Sequence, residues 1–239
     1  MRMLSLEKIN SWYGEAQVLH DVDLNVQEGE IVALFGRNGV GKTTTLRSIM
    51  GLNPPLCKGK IIFNNENILG LPPYKIANKG MGFVPEDRRI FPYLTLKKNL
   101  DTGKKTKRQI NIKERWDYQE VYQLFPKLET LQNSLGKNLS GGEQQMLTIA
   151  RTLMGNPELL ILDEPSEGLA PIIARDVINL VLRLKKEYGL SILIVEQFSP
   201  RVLEYADRCY VMDMGEIVFE GISKEFKENI KLQKKLLGV

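Results

Sequence analysis

One glycine-rich segment determines how the rest of the chain is interpreted, and it reads Gly36-Arg37-Asn38-Gly39-Val40-Gly41-Lys42-Thr43. The segment fits the pattern G-x-x-x-x-G-K-[ST], which describes a phosphate-binding loop. The apolar run before it, residues 31–35, is typical of a buried strand, and residues 44–50 after it carry apolar side chains at helical spacing. A strand on one side and a helix on the other are the context that this motif requires.

The chemistry of a polyphosphate explains these residue types. Glycines let the backbone approach the ligand closely, so that successive N–H groups point at the phosphate oxygens. The positive end of the following helix dipole adds to the attraction. We expect Lys42 to reach the β- and γ-phosphates and the Thr43 hydroxyl to bind Mg²⁺. The alternative is a chance match, which the flanking strand and helix disfavour.

Length and composition fit a folded domain without a membrane segment. The chain has 239 residues, of which 43% are hydrophobic and 26% charged, enough for one large domain or a core with a subdomain. No apolar stretch approaches the roughly 18–20 residues of a membrane span, and the N-terminal residues lack the apolar region of a signal peptide. We expect a cytoplasmic protein that associates with a membrane only through a partner.

Several chemistries are disfavoured by the residues present. The single histidine, His20, leaves no histidine metal cluster and no Ser-His triad, and we expect it to be a strand residue without a chemical role. Cys57 and Cys209 show no metal-type spacing, and Cys209 is expected to be a buried small hydrophobe. The basic run at 104–108 contains no stacking aromatics, which favours a solvated loop over a nucleic-acid site. We therefore expect no nucleic-acid partner.

The remaining pattern predicts an α/β architecture. Alternating residues 4–9 predict an edge strand, residues 11–14 a turn, and residues 18–26 a second strand of an antiparallel layer. From residue 95 to 138 there are few β-branched residues, and the apolar residues have helical spacing. This pattern predicts a helical subdomain of about residues 95–155, inserted in a single domain of residues 1–239. Ser140 is expected to cap the helix that follows it. Further strands are predicted at 81–85, 159–162 and 191–195, hairpins at 60–68 and 208–220, and helices at 72–79, 172–188, 200–206 and 223–237.

Strands that alternate with helices predict a mostly parallel sheet with its ligands at the carboxyl edge. Gly36, Asp163 and Gln197 each follow a predicted buried strand, so we expect them to meet there. Asp163 is in the usual position for a carboxylate that holds Mg²⁺. Glu164 is a natural base or orienter for an attacking water. A surface or capping role is the alternative for one acid, but two in succession favour hydrolysis.

A second motif carries a family resemblance. The run Leu139-Ser140-Gly141-Gly142-Glu143-Gln144-Gln145 resembles the signature motif of ABC-transporter ATPases, and it lies between the phosphate loop and residues 159–164, which resemble the Walker A and Walker B motifs of that family. The resemblance extends from residue 4 to residue 220. It implies a P-loop NTPase core with a mostly parallel sheet, an antiparallel β subdomain and an inserted helical subdomain.

The resemblance also implies the ligands, ATP and Mg²⁺, and the residues that hold them. Tyr13 matches the aromatic that stacks on adenine, although a packing role is the alternative. The residues implied for ATP binding are Tyr13, Gly36, Arg37, Asn38, Gly39, Val40, Gly41, Lys42, Thr43, Thr44, Ser140, Gly141, Gly142 and Glu143. Those implied for Mg²⁺ are Thr43, Asp163 and Glu86, and those implied for catalysis are Glu164, Gln197 and Glu86.

The signature motif has a physical rationale as an anion site. The Ser140 side chain and the exposed amides of Gly141 and Gly142 form the N-terminus of a helix. In the family, two cassettes pair head to tail, and each ATP lies between the phosphate loop of one chain and the signature of the other. A simple capping turn is the alternative, and both interpretations can hold because they use the same donors.

Three short segments are similar to the corresponding segments in ATPases of branched-chain amino-acid importers, and those of urea and short-chain amide importers are close as well. The segments are residues 84–91, 166–172 and 195–197. Most ABC ATPases carry Gln, Asp and His where this chain has Glu86, Ala170 and Gln197, so the general mechanism does not transfer residue for residue. Because Gln197 cannot titrate, we expect slow hydrolysis by this chain alone and pairing with a different ATPase that keeps the histidine.

The resemblance thus implies the ATP-hydrolysing subunit of a bacterial ABC importer for branched-chain amino acids. Its implied partners are a second ABC ATPase subunit in a homo- or heterodimer, membrane permease subunits and, indirectly, a substrate-binding protein, at the cytoplasmic face of the cell membrane. The alternatives are a urea or amide importer, an export or lipid-moving ATPase, and a soluble non-transport ABC protein. Residues 88–91 argue against export, and the single cassette argues against the soluble class.

Overall fold

The computed structural model describes residues 1–105 and 115–238. In chain order the strands are β1 Arg2–Tyr13, β2 Ala16–Gln27, β3 Ile31–Phe35, β4 Leu56–Phe63, β5 Glu66–Asn67, β6 Met81–Val84, β7 Leu159–Asp163, β8 Ser191–Glu196, β9 Arg208–Asp213 and β10 Glu216–Ile222. The helices are α1 Lys42–Ile49, α2 Pro73–Asn78, α3 Leu96–Asp101, α4 Tyr118–Leu124, α5 Pro126–Thr130, α6 Gly141–Leu153, α7 Pro171–Tyr188, α8 Pro200–Tyr205, α9 Ser223–Glu228 and α10 Ile230–Leu237. These elements confirm the predicted α/β class.

The strands form two sheets. The antiparallel sheet has the order β2-β1-β4-β5, and the larger sheet has the order β10-β9-β3-β8-β7-β6. In the larger sheet the four strands β3, β8, β7 and β6 run parallel to their neighbours, and β9 pairs parallel with β3, while β10 closes the sheet as an antiparallel hairpin with β9. The predicted mostly parallel sheet and the predicted antiparallel layer are therefore both present.

The side chains of β3 point alternately to its two faces, and this explains how the two sheets are held together. Ile31, Ala33 and Phe35 face one hydrophobic cluster, which contains the buried side chains of α6 and α7. Val32 and Leu34 face a second cluster, which contains the buried side chains of β1 and β2. Because side chains alternate along a strand and all five residues are buried, β3 must be covered on both faces. The phosphate loop that follows it is thereby fixed between two packed layers.

Three local predictions are wrong. Residues 4–9 do not form an edge strand, because β1 lies inside the antiparallel sheet and pairs with both β2 and β4. Of residues 11–14 only Gly14 lies in a turn, because Ser11 to Tyr13 continue β1 and pair with β2. The predicted helix 223–237 is two helices, since the backbone of Asn229 leaves the helical region and its side chain caps α10 by accepting a hydrogen bond from Leu232 N at 3.1 Å.

Between β6 and β7 the described residues form helices α3 to α6 and a 3₁₀ turn at Gly136–Asn138. The helices pack apolar side chains onto the same cluster as β3, including Leu100, Val121 and Leu147, which are fully buried. No helix in residues 1–105 or 115–238 has the length and apolarity needed to cross a bilayer. Part of the predicted solvated basic loop, residues 106–108, lies outside the described residues.

A buried asparagine organises the loop that precedes α3. Asn99 is fully buried, and its amide nitrogen donates to the carbonyl oxygens of Phe91, Leu94 and Thr95 at 3.0–3.2 Å. Its side-chain oxygen accepts a hydrogen bond from Phe91 N at 2.8 Å. The Asn99 side chain therefore ties together the backbone of Phe91, Leu94 and Thr95 in the loop after β6.

We predict that Asn99→Leu lowers the free energy of unfolding by about 2–3 kcal/mol, because the apolar side chain leaves buried backbone groups of this loop without partners. Chemical denaturation followed by circular dichroism measures the change. The matched control is Asn133→Leu at an exposed position, which should change it by less than about 0.5 kcal/mol. Equal stability of the two variants would contradict the role assigned to Asn99.

Candidate functional site

The phosphate loop follows β3 directly and leads into α1. A Cβ atom at Gly36 would lie 2.6 Å from the carbonyl oxygen of Met212 and 2.8 Å from Cγ2 of Val40, so no larger residue fits there. Gly41 has φ +114°, which side chains rarely adopt, and its Cβ position would lie 2.8 Å from Leu19. The glycines are thus required both by close packing and by backbone conformation. The loop they form bends tightly into the N-terminus of α1.

Lys42 lies at the start of α1 and its ammonium group is enclosed. Its Nζ donates to the carbonyl oxygens of Gly36 at 2.8 Å and Arg37 at 2.9 Å, and it lies 3.1 Å from Oε1 of Glu164. Only 4% of Lys42 and 7% of Glu164 is exposed. The buried ammonium group therefore has three partners, which are two carbonyl oxygens of the phosphate loop and one carboxylate.

Thr43 and Asp163 join the start of α1 to the end of β7. The Thr43 hydroxyl donates to Oδ1 of Asp163 at 3.3 Å. The pKa of Asp163 is raised to about 6, mainly by burial and also by the nearby carboxylates of Glu164 and Glu86, while the hydrogen bond from Thr43 lowers it. A hydroxyl and a carboxylate side by side are the oxygen ligands that Mg²⁺ prefers, so the donors present fit that ion.

Glu164 connects the end of β7 to Gln197, which follows β8. Its backbone lies in the left-handed region at φ 43°, and its amide donates to the carbonyl of Val195 at 2.9 Å. Gln197 Nε2 donates to Oε2 of Glu164 at 3.4 Å, and Gly36 N donates to the carbonyl of Gln197 at 3.2 Å. The structure therefore brings Gly36, Glu164 and Gln197 together, although they are distant in sequence.

The charge state of Glu164 is set by competing effects. Burial by itself raises its pKa, but a hydrogen bond with Glu167 and the nearby Lys42 ammonium more than offset this, so the pKa lies below its usual value. The carboxyl of Glu167 has the opposite shift, because its hydrogen bond with Glu164, followed by burial, raises its pKa to about 7. The pKa values of these two neighbouring carboxyl groups are therefore shifted in opposite directions.

Several of these side chains line one cavity of about 290 Å³. Most of the predicted phosphate-binding residues line it, together with two of the predicted acidic residues and one acid to which no role was assigned. The lining residues are Asn38, Gly39, Gly41, Lys42, Thr43, Thr44, Glu86, Glu164 and Glu167. The cavity combines backbone N–H groups of a helix N-terminus with a lysine, which suits a phosphate group.

Tyr13 lies at the end of β1, paired with Ala16, and is partly buried. It is not among the residues that line the 290 Å³ cavity. The hairpin end nevertheless lies against α1, since the hydroxyl of Ser11 is 2.9 Å from that of Ser48. Its predicted stacking on adenine stays a prediction.

The signature motif forms the N-terminus of α6, and Ser140 caps this helix as predicted. Glu143 N donates to the Ser140 hydroxyl at 3.4 Å, and Ser140 N donates to a Glu143 carboxylate oxygen at 2.9 Å, which completes a capping box. Ser140, Gly142 and Glu143 line a different cavity, of about 500 Å³, between α5, α6 and α7. The signature and the phosphate loop therefore belong to different cavities within this chain.

Two acids were missed by the sequence interpretation as members of this site. Glu167 lines the phosphate cavity, and Glu196 is buried at the end of β8, where the Ser166 hydroxyl donates to it at 2.7 Å. Burial raises the pKa of Glu196 to about 7, although the hydrogen bond from Ser166 lowers it. Glu167 could have been predicted as a site residue, because it is an acidic residue that follows soon after the Asp163-Glu164 pair at the end of a strand.

Comparison with known proteins agrees with this geometry. The family model described as ABC transporter matches residues 19–167. The chain is 41% identical to the high-affinity branched-chain amino acid transport ATP-binding protein BraG of Pseudomonas aeruginosa, covering 99% of this chain and 100% of that protein. It is 35% identical to the probable branched-chain amino acid transport ATP-binding protein LivF of Archaeoglobus fulgidus, covering 99% of both. It is also 33% identical to the lipopolysaccharide export system ATP-binding protein LptB of Escherichia coli, covering 100% of this chain and 98% of that protein.

Solved structures show the same fold. A nucleotide-free ATP-binding cassette from an ABC transporter superposes with a TM-score of 0.83 at 29% identity, covering 99% of this chain and 98% of that one. The bacterial ABC transporter cassette MJ0796, solved as a dimer, superposes with a TM-score of 0.77 at 25% identity, covering 92% of this chain and 99% of that one. With the family match and the similar relatives over the full length, these findings place the protein: it belongs to the ABC transporter family and is one of that family's ATPases.

Proposed function

We propose that this chain is the ATP-binding and ATP-hydrolysing subunit of a bacterial ABC importer for branched-chain amino acids. The observation that carries the proposal is that Lys42, Thr43 and Glu164 line one cavity and that Asp163 accepts a hydrogen bond from Thr43. The similarity of the whole chain to BraG and LivF supports the substrate class, because both of those proteins are named for branched-chain amino acid transport.

In this proposal the phosphate loop and Lys42 hold the β- and γ-phosphates of ATP, and Tyr13 stacks on adenine. Thr43 and Asp163 would hold Mg²⁺ with Glu86 nearby, and the ion would supply countercharge to the phosphates. Glu164 accepts the proton of the attacking water. The water oxygen bonds to the γ-phosphorus, and the bond from that phosphorus to the bridging oxygen of ADP breaks.

The position of the signature motif supports a paired arrangement. Ser140 and Glu143 line a cavity that does not include the phosphate loop, so the signature's donors are left to serve a nucleotide on another chain. We infer a head-to-tail pair with a second ABC ATPase subunit, each chain acting as one domain with the helical subdomain of about 95–155. Since Gln197 lacks the charge of a protonated histidine, the preferred partner is a different ATPase that carries one.

A groove beside the loop after β6 supports docking of a permease. The groove has a volume of about 580 Å³ and lies between α2, β6 and α6. Tyr74, Phe91 and Tyr93 expose 64%, 48% and 77% of their surface, and Tyr74 and Phe91 line the groove. Exposed aromatics next to a groove are typical of protein interfaces. We infer that a permease helix docks here at the cytoplasmic face of the membrane, with a substrate-binding protein acting through the permease.

The similarity to LptB gives a second candidate, an export ATPase. The higher identity to BraG over the same length favours import. An importer for urea or short-chain amides is the third possibility, since the site itself carries no information about the transported molecule. The experiment on Glu164 below distinguishes these candidates by what the cell takes up.

We predict that Lys42→Ala weakens ATP binding by about 2 kcal/mol, roughly thirty-fold in Kd, because a buried charge-assisted contact to the phosphates is lost. Isothermal titration calorimetry measures the affinity. The control is Lys231→Ala at an exposed position of α10, which should bind ATP like the wild type. Equal affinity of both variants would refute the phosphate site.

We predict that Glu164→Gln keeps ATP binding but slows hydrolysis by about 10²–10⁴-fold, because an amide cannot accept the proton of the water. Phosphate release measures turnover, and size exclusion should show an ATP-stabilised pair. Glu228→Gln, at an exposed position of α9, is the matched control.

The same substitution in the native cell tests the substrate. We expect uptake of radiolabelled leucine to fall and uptake of urea to continue. Loss of urea uptake with normal leucine uptake would favour the amide importer, and normal uptake of both would favour export. Turnover at the wild-type rate would show that Glu164 is not the base.

We predict that Tyr13→Ala weakens ATP binding by about 1 kcal/mol, roughly five-fold in Kd, which is the contribution of one stacking contact. The control Tyr13→Phe keeps the ring and should bind normally. Calorimetry and thermal unfolding are measured together. Normal binding combined with a lower melting temperature for Tyr13→Ala would support the packing role instead.

A further inference from the structure

A short segment joins the phosphate cavity to the signature helix. Glu167 lines the phosphate cavity. Ile173 contacts the start of α6, since its Cγ2 atom lies 2.7 Å from where a Cβ atom of Gly142 would be. Residues 167–173 therefore connect the two surfaces that face different nucleotides in the proposed pair. This inference rests on that pair and concerns the kind of chain that completes it.

The head-to-tail arrangement determines what this segment faces. In such a pair the phosphate cavity of each chain lies opposite the signature of the other, so the two-fold axis passes between these two features on each chain. Residues 167–173 occupy that interval and therefore lie near the axis. Near a two-fold axis, a surface of one chain meets the same surface of an identical partner. In a pair of identical chains, this segment and its surroundings would pack against their own copy.

A groove lies beside this segment. It has a volume of about 550 Å³, and the residues that line it include Pro171, Ile172, Arg175 and Arg201. Ile172 exposes 59% of its surface although it is apolar, and Arg175 is exposed about one turn later on α7. Arginine is enriched in protein interfaces, where apolar side chains form the centre of the contact. The groove therefore has the composition of a protein interface.

The groove is positively charged. Within the part of the chain that the structure describes, none of its lining residues is acidic, and neither Arg175 nor Arg201 forms an ion pair. Arg201 donates to Oδ1 of Asn179 at 2.9 Å, and its Nε has no hydrogen-bond partner among the described residues. The acids closest in sequence are engaged elsewhere, because Asp176 lines the 500 Å³ cavity and Glu204 pairs with a lysine of α9 at 3.3 Å.

We propose that this groove selects the second ATPase of the pair by charge, and that its occupant is a chain of the same family that presents a carboxylate to Arg175 and Arg201. Identical chains would each bring two guanidinium groups to the axis, and like charges that face each other weaken an interface. An acidic side chain at this place replaces the repulsion with a charge-assisted hydrogen bond. This criterion selects against the identical partner as well as for the different one, and it does not involve Gln197.

The test uses two versions of this chain, so the native partner is not required. All chains carry Glu164→Gln so that ATP holds the pairs together, and one version also carries Arg175→Glu. One version is labelled with nitrogen-15, the two are mixed in equal amounts with ATP and Mg²⁺, and native mass spectrometry counts mixed and unmixed pairs. If the charge swap favours mixed pairs about ten-fold, they should form about nine-tenths of the total, against about half for random pairing.

Two further measurements test the same charge. Arg175→Gln removes the charge without reversing it, so its homodimer should be about three-fold tighter than that of the chain with Arg175, as measured by analytical ultracentrifugation with ATP. Added salt should strengthen the Arg175 homodimer and weaken the mixed pair, because it screens repulsion and attraction alike. The matched control is Lys186→Glu, the same charge change at an exposed position of α7, about 16 Å further along the helix. It should pair at random with the unchanged chain.

The proposal is overturned if mixed pairs with Arg175→Glu stay at the random proportion, if Lys186→Glu favours mixed pairs equally, or if Arg175→Gln does not tighten the homodimer. Circular dichroism identifies a variant that fails to fold, and if Arg175→Glu fails, the Arg175→Gln homodimer decides. The proposed function fails differently. If no mixture forms ATP-dependent pairs, the head-to-tail pair itself is refuted and this inference with it. Random pairing in every mixture leaves the pair intact and overturns only the role of the groove.

Discussion

The buried ion pair between Lys42 and Glu164 is the interaction on which the arrangement of the site depends. It joins the phosphate loop to the end of β7 across 3.1 Å, with both side chains almost fully enclosed. A buried charge is costly unless it is paired and hydrogen bonded, and here each partner satisfies the other. Two loop carbonyls complete the shell of Lys42. The loop and Glu164 therefore hold the Lys42 ammonium in place, and an anionic ligand would compete with Glu164 for it.

The register of the parallel sheet is what allows that pair to form. Phe35 of β3 pairs with Glu196 of β8, and Val195 of β8 pairs with Asp163 of β7. Since parallel strands end at the same edge, the loops that follow these three strands are forced together. The hydrogen bonds from Gly36 N to the Gln197 carbonyl and from Glu164 N to the Val195 carbonyl extend the ladder beyond the strands. The backbone pairing of the sheet therefore determines which residues lie next to each other in the site.

The parts of the fold that local sequence specifies were the parts that could be predicted. The buried strand β3, the capped helix α6 and the meeting of Gly36, Asp163 and Gln197 follow from apolar runs and polar strand ends. The position of β1 in the middle of its sheet could not be predicted, because pairing with β4 depends on residues some fifty positions away and leaves no local mark. The break at Asn229 was missed because amphipathic spacing continues across it.

The site shows the same division. The phosphate loop could be predicted from its sequence motif. The left-handed backbone conformation of Glu164 could not, because glutamate seldom adopts it and no neighbouring residue indicates it. That conformation is what directs Glu167 toward the cavity, so spacing alone makes Glu167 a candidate and does not show that it faces the phosphate site. Strain of this kind, held by the surrounding structure, is often found at functional sites.

The loop after β6 connects this site to the rest of the molecule. Glu86 lines the phosphate cavity, and two residues later the carbonyl of Arg88 accepts hydrogen bonds from Thr148 at 2.9 Å and from Arg151 at 3.2 Å, both on α6. The Arg88 guanidinium also lies beside Gly141 at the start of the signature helix. Phe91 of the same loop lines the groove proposed for the permease and is held by Asn99. A short, hydrogen-bonded segment thus contacts the phosphate cavity, the signature helix and the groove, so a shift of the loop at any of these places must be accommodated at the other two.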